Sequence, residues 1–143
     1  MRKGWMVVWV VLVAAQFYLL YTPDVGGGPG FLAPLWELLR PLPGPTAMGE
    51  PGFDKIVHGT SFGLVALTGL LAGWPTWLAI AIPAAHAPVS ELVQLFWIDG
   101  RAGDWHDLLA DWTGILLAWA IIAAWRSRKV RGSHRRREPR SIV

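Results

Sequence analysis

Residues 104–125 read DWHDLLADWTGILLAWAIIAAW, and this stretch decides the fold. Asp104, Asp107, Asp111, Gly114 and Ala118 follow at intervals of 3, 4, 3 and 4 residues, which places them on one face of an α-helix. That face starts acidic and becomes small, so a neighbouring helix can approach it closely. The uncharged part, Trp112 to Trp125, is 14 residues. At 1.5 Å per residue this is roughly 21 Å of helix, short of the ~30 Å hydrocarbon core of a bilayer. Asp111, with Asp107 one turn above it, is therefore expected within the outer part of a membrane and facing the interior of a bundle.

Working outward, three more apolar runs of similar length occur, at about 5–21, 53–73 and 76–96. The first follows Arg2 and Lys3. It stays aromatic to its end and has no small-x-small site before Thr22-Pro23, so it reads as an uncleaved signal anchor. The second opens with Asp54, Lys55 and His58. Trp74-Pro75-Thr76 makes a tight turn, with Pro75 placed to start the third run. Pro83 and Pro88 interrupt that run and predict a kink. His86 between them reads as a partner for the freed carbonyls rather than a proton relay. The stretch 22–52 is rich in Gly and Pro and cannot sustain a long helix. Within it, Phe31 to Arg40 suits either a short interfacial helix or a loop packed over the bundle.

Composition agrees with the pattern of runs. A chain of 143 residues has room for one domain, and 53% of it is hydrophobic against 16% charged, with ten tryptophans. A soluble fold would need several nearly continuous buried helices with too little polar surface. Residues 126–143 carry eight basic side chains against Glu138, a net +7, whereas residues 1–125 carry −4. Basic residues at both chain ends place both termini in the cytoplasm by the positive-inside rule, which requires an even number of crossings. The expectation is an all-α integral membrane four-helix bundle over residues 1–125, with a basic cytoplasmic tail, 126–143, lying against anionic lipid. Nucleic-acid binding is not expected, because the excess charge sits on a short tail and not on a shaped surface. The absence of cysteine excludes disulfides and thiol chemistry.

Threaded this way, the start of the second helix, the end of the third and the start of the fourth share the extracytoplasmic face. Asp54, Lys55, His58, Glu91, Gln94, Arg101, Asp104, Asp107 and Asp111 fall there, and they form the candidate polar site. Two readings stand side by side. One is an interhelical salt-bridge network that fixes the bundle. In the other, Lys55 and Arg101 contact the phosphate or carboxylate of an anionic envelope lipid or cell-wall precursor, with Glu91, Asp104 and Asp107 positioning them. Several carboxylates with His58 could bind a divalent cation, but no recognised metal spacing is present, so no metal and no cofactor is expected. Ser61 and Ser90 are equally good packing residues, so a non-catalytic role is favoured. The alternative is a membrane enzyme that hydrolyses or transfers a lipid-linked phosphate or peptide.

Asp54-Lys55-x-x-His58 opening a membrane helix, Glu91-Leu92-Val93-Gln94 closing another, and Gly100-Arg101-x-x-Asp104-x-x-Asp107-x-x-x-Asp111-x-x-Gly114 resemble the VanZ-like family. These are small bacterial multi-pass membrane proteins named for a member associated with teicoplanin resistance. The resemblance covers about residues 52–120. It implies a bacterial membrane location, action at the cell envelope and lowered sensitivity to glycopeptides, without fixing a reaction or an oligomeric state.

Overall fold

A computed structural model of the chain describes residues 2–21, 52–98 and 103–135. Within them are four helices, α1 (Lys3–Tyr21), α2 (Phe53–Ala72), α3 (Thr76–Trp97) and α4 (Trp105–Arg135), and no strand. Each is long and apolar enough to cross a membrane. The fold is all-α, as the four apolar runs predict. The stretch 31–40, residues 99–102, with Arg101 among them, and residues 136–143 lie outside the described residues.

Local chemistry explains the element ends. Gly73 closes α2 in the left-handed region at φ 85°, a conformation that costs glycine little. Its N–H bonds to Leu70 O at 3.3 Å and the Trp74 N–H to Gly69 O at 3.2 Å, the paired bonds of a Schellman stop. Pro75 then starts α3, its carbonyl accepting from Leu78 and Ala79. Asp104 caps α4: its Oδ1 accepts the His106 N–H at 2.9 Å. At its far end α4 runs ten residues past the expected stop at Trp125. Arg and Lys are good helix formers and no proline intervenes before Pro139, so the basic segment up to Arg135 continues the helix.

The helices alternate in direction. Arg2 N–H bonds to Ala72 O at 3.0 Å and Arg126 Nη2 reaches Leu70 O at 3.5 Å, which puts the start of α1, the end of α2 and the later part of α4 at one end. Gln94 Nε2 donates to Leu20 O at 3.2 Å at the other end. Thus α2 and α4 are parallel, and they form the most extensive interface. Small residues make it. A Cβ on Gly59 would lie 2.8 Å from Ala110 O, one on Gly63 3.0 Å from Gly114 O, and one on Gly114 would overlap Gly59 O. Backbone meets backbone here, the close packing that small residues at four-residue spacing permit.

Side chains are distributed inside out. Val7, Val11, Leu116, Leu117 and Ile121 are exposed, while Gln16, His58, Ser90, Gln94, Asp107 and Asp111 are buried beside Phe62, Ala66, Ala87 and Ile115. An apolar exterior around a polar interior fits a multi-pass membrane protein and would be a liability in water. Trp5, Trp77, Trp97, Trp105 and Trp125 near the helix ends are exposed, as interfacial tryptophan is.

Helix α3 passes through both Pro83 and Pro88. Pro88 has no N–H for the Ala84 carbonyl, and Trp112 of α4 supplies one, its indole Nε1 donating at 3.2 Å. His86 does not serve that carbonyl. Its Nε2 lies 2.8 Å from Tyr21 OH and its ring stacks on Phe17 at 4.8 Å, so it lies on the side of α3 that meets α1.

The parallel seam makes a direct prediction. Gly114→Leu is expected to lower membrane abundance and melting temperature in detergent, by more than the roughly 1–3 kcal/mol of ordinary overpacking, since it strikes backbone. Gly4→Ala, whose Cβ meets nothing within 4 Å, should lower neither; equal losses would contradict the seam.

Candidate functional site

The parallel course of α2 and α4 carries the acidic start of α4 against the first turns of α2. Lys55 and His58 sit three apart on α2 and face α4. Lys55 Nζ lies 3.1 Å from Asp104 Oδ2, 3.1 Å from Asp107 Oδ1 and 3.3 Å from Asp54 Oδ2. Its side chain retains 35% exposure, so it stands at the rim, its ammonium already surrounded by carboxylates.

Below the rim the groups are buried. His58 Nδ1 lies 3.3 Å from Asp111 Oδ1, 3.5 Å from Asp111 Oδ2 and 3.6 Å from Glu91 Oε1. Asp111 is 0% exposed and Glu91 8%. Each keeps one oxygen, Asp111 Oδ1 and Glu91 Oε1, buried without a hydrogen bond. The imidazole is near both yet aligned with neither oxygen, and a single N–H could serve only one. The other oxygen of Glu91 is held firmly: Oε2 accepts the Asp104 backbone N–H at 2.8 Å. Gly103 makes that bond reachable, since a Cβ there would meet Glu91 O at 2.6 Å.

One ligand atom from each of His58, Glu91 and Asp107 falls within 4.8 Å of the other two. Three helices contribute these three side chains. The residue types suggest a cation site in the sequence, but no short spacing could show that these three converge.

Asp104 lies at the mouth, outside the apolar spans. Hydrogen bonds from the His106 backbone N–H and ring, and from Lys55, hold its carboxyl well below the usual carboxylate range. Its cap on α4 is therefore present at neutral pH and is lost only as pH falls through that depressed value, below the ordinary aspartate range.

Seven of the nine candidate residues, Asp54, Lys55, His58, Glu91, Asp104, Asp107 and Asp111, are joined in one chain of contacts. Gln94 shares that end of the bundle but is turned to Leu20 O of α1, a structural tie. Arg101 lies outside the described residues. Gln16 was not a candidate, yet it is 3% exposed and its Nε2 reaches Ser61 Oγ at 3.4 Å. Its signal was visible as the one strongly polar residue in the first apolar run. The Ser61 and Ser90 hydroxyls donate to the His58 and Ala87 carbonyls of their own helices.

Comparisons of the chain with protein-family models, curated proteins and solved structures found no match.

Removing one partner of a paired, partly buried charge leaves the other uncompensated. Lys55→Met should therefore lower the melting temperature of the purified protein, and adding Asp107→Asn should recover part of that loss. Strict additivity of the two substitutions would mean that the contact contributes nothing to the fold.

Proposed function

We propose that this chain is a VanZ-like multi-pass membrane protein of the bacterial cell envelope and that the polar cluster is its working site. In this reading both termini are cytoplasmic, the cluster faces outward, and the protein lowers sensitivity to glycopeptides of the teicoplanin type. The observation that carries it is the burial of His58, Glu91, Asp107 and Asp111 together at one end of four apolar helices. Ionisable groups at such depth are expensive and by default mark function. A purely structural network would leave fewer polar atoms unmatched, whereas here two carboxylate oxygens are buried without hydrogen bonds.

The rim suits an anionic envelope lipid or cell-wall precursor. Its phosphate or carboxylate would exchange with Asp54 and Asp104, the more exposed carboxylates on Lys55, while Asp107 stays in place. Arg101, three residues before Asp104 in the sequence, would be the second basic contact. The serine hydroxyls of the cluster are engaged with carbonyls, which favours binding over nucleophilic catalysis. Turnover of a lipid-linked phosphate or peptide by purified protein would instead establish the enzyme alternative.

The test is glycopeptide susceptibility of cells producing wild type, Glu91→Gln or Asp107→Asn, with membrane abundance measured in each. The expected result is protection by wild type and its loss in both variants at unchanged abundance. Absence of protection by wild type would remove the envelope role, and loss in step with abundance would favour the structural network.

A further inference from the structure

We propose that His58, Glu91, Asp107 and Asp111 bind one divalent first-row transition-metal ion. The proposal rests on reading this cluster as the working site and names the ligand of its buried floor. Three carboxylates and one imidazole meet there, and among the described residues Lys55 is the fixed positive charge beside them. Lys55 already serves Asp54, Asp104 and Asp107.

The independent observation is the state of the oxygens. Asp111 Oδ1 and Glu91 Oε1 are both buried, both without a hydrogen bond, and both within 3.6 Å of His58 Nδ1. Orphaned polar atoms are rare in protein interiors and call for an explanation such as an ion. The outer contacts have the form that metal ligands require. Glu91 Oε2 is fixed by the Asp104 N–H and Asp107 Oδ1 by Lys55 Nζ, which leaves each carboxylate a second oxygen for the ion. Outer hydrogen bonds of this kind orient a ligating carboxylate.

Size and chemistry agree. Ligands about 2.1 Å from an ion are separated by about 3.4 Å in a tetrahedron. One donor atom each from His58, Glu91 and Asp107 lies within 4.8 Å of the others, so small rotations close the set. Asp111 Oδ1, 3.3 Å from the imidazole nitrogen, stands beside His58 and is the fourth donor, reached through it. A donor set of one imidazole and several carboxylates suits Zn²⁺ or Mn²⁺. Mg²⁺ and Ca²⁺ prefer oxygen alone, and Cu⁺ prefers sulfur.

The experiment uses the full chain in detergent with any affinity tag removed, stripped by chelator and titrated with Zn²⁺ or Mn²⁺ alone, by calorimetry and by melting temperature. The expected result is one ion per chain and a raised melting temperature. His58→Gln and Asp111→Asn should weaken binding at least tenfold, while Arg128→Gln, exposed at the opposite end of α4, binds as wild type does. The wild type alone decides if variants fail to fold: no binding of either ion and no thermal shift up to millimolar metal overturns the site. Equal binding by wild type and the two floor variants also overturns it, since the ion then sits elsewhere. Metal binding by a chain that gives cells no glycopeptide protection removes the envelope role and upholds the metal site.

Discussion

The approach of α2 to α4, with Gly59 and Gly63 against Ala110 and Gly114, is the constraint on which the rest depends. Side chains at these positions would hold the helices apart by an additional layer of atoms. With backbone touching backbone, the same registry that seats Gly59 on Ala110 puts Lys55 beside Asp104 and Asp107, and His58 beside Asp111. Packing lower in the bundle thus sets distances in the site. Helix α3 completes the arrangement by delivering Glu91 to the opening of α4, where one carboxylate oxygen takes the Asp104 N–H.

In an apolar solvent such as a bilayer, the exposed valines and leucines would gain nothing from associating with one another, so shape and internal hydrogen bonds would have to hold the helices together. Gln16 to Ser61, Gln94 to Leu20 O, Tyr21 to His86 and Trp112 to Ala84 O are such bonds, each joining two helices. They satisfy their partners and leave little over. The His58, Glu91, Asp107 and Asp111 group differs, because two of its carboxylate oxygens are buried without a hydrogen bond. The contrast between a frame whose polar groups are matched and a floor whose oxygens are not is the physical case for function at that floor.

Much of this was legible in the chain. Run lengths and turn residues place all four helices within a residue or two, except at the end of α4, where a basic composition suggests a tail but helix propensity continues the turn to Arg135. The alternation of 3 and 4 between Asp104 and Ala118 marks the inward face correctly, since Asp107, Asp111 and Ala118 are buried. Connectivity alone brings Lys55, His58, Glu91 and the aspartates to one end. Sequence could not show which polar groups would pair across helices. The Trp112 indole over the carbonyl freed by Pro88, and the Tyr21 partner of His86, depend on rotations about helix axes that no spacing records. The same ignorance of rotation leaves open in sequence whether donor atoms of His58, Glu91 and Asp107, on three helices, come within 4.8 Å of one another.

The central claim is that α2 and α4 run parallel with their starting ends together, and it is open to one direct measurement. The chain has no cysteine of its own, so single spin-label pairs can be placed by cysteine substitution. Ile56, Leu109 and Ile121 are all exposed and line the same groove between the two helices. Electron-spin distances should be short for the Ile56–Leu109 pair and roughly 10–15 Å longer for Ile56–Ile121, because the twelve intervening residues rise about 18 Å along an axis lying to one side of Ile56. Equal distances, or the reverse order, would show that the acidic start of α4 does not meet Lys55 and His58, and the site as described would not exist.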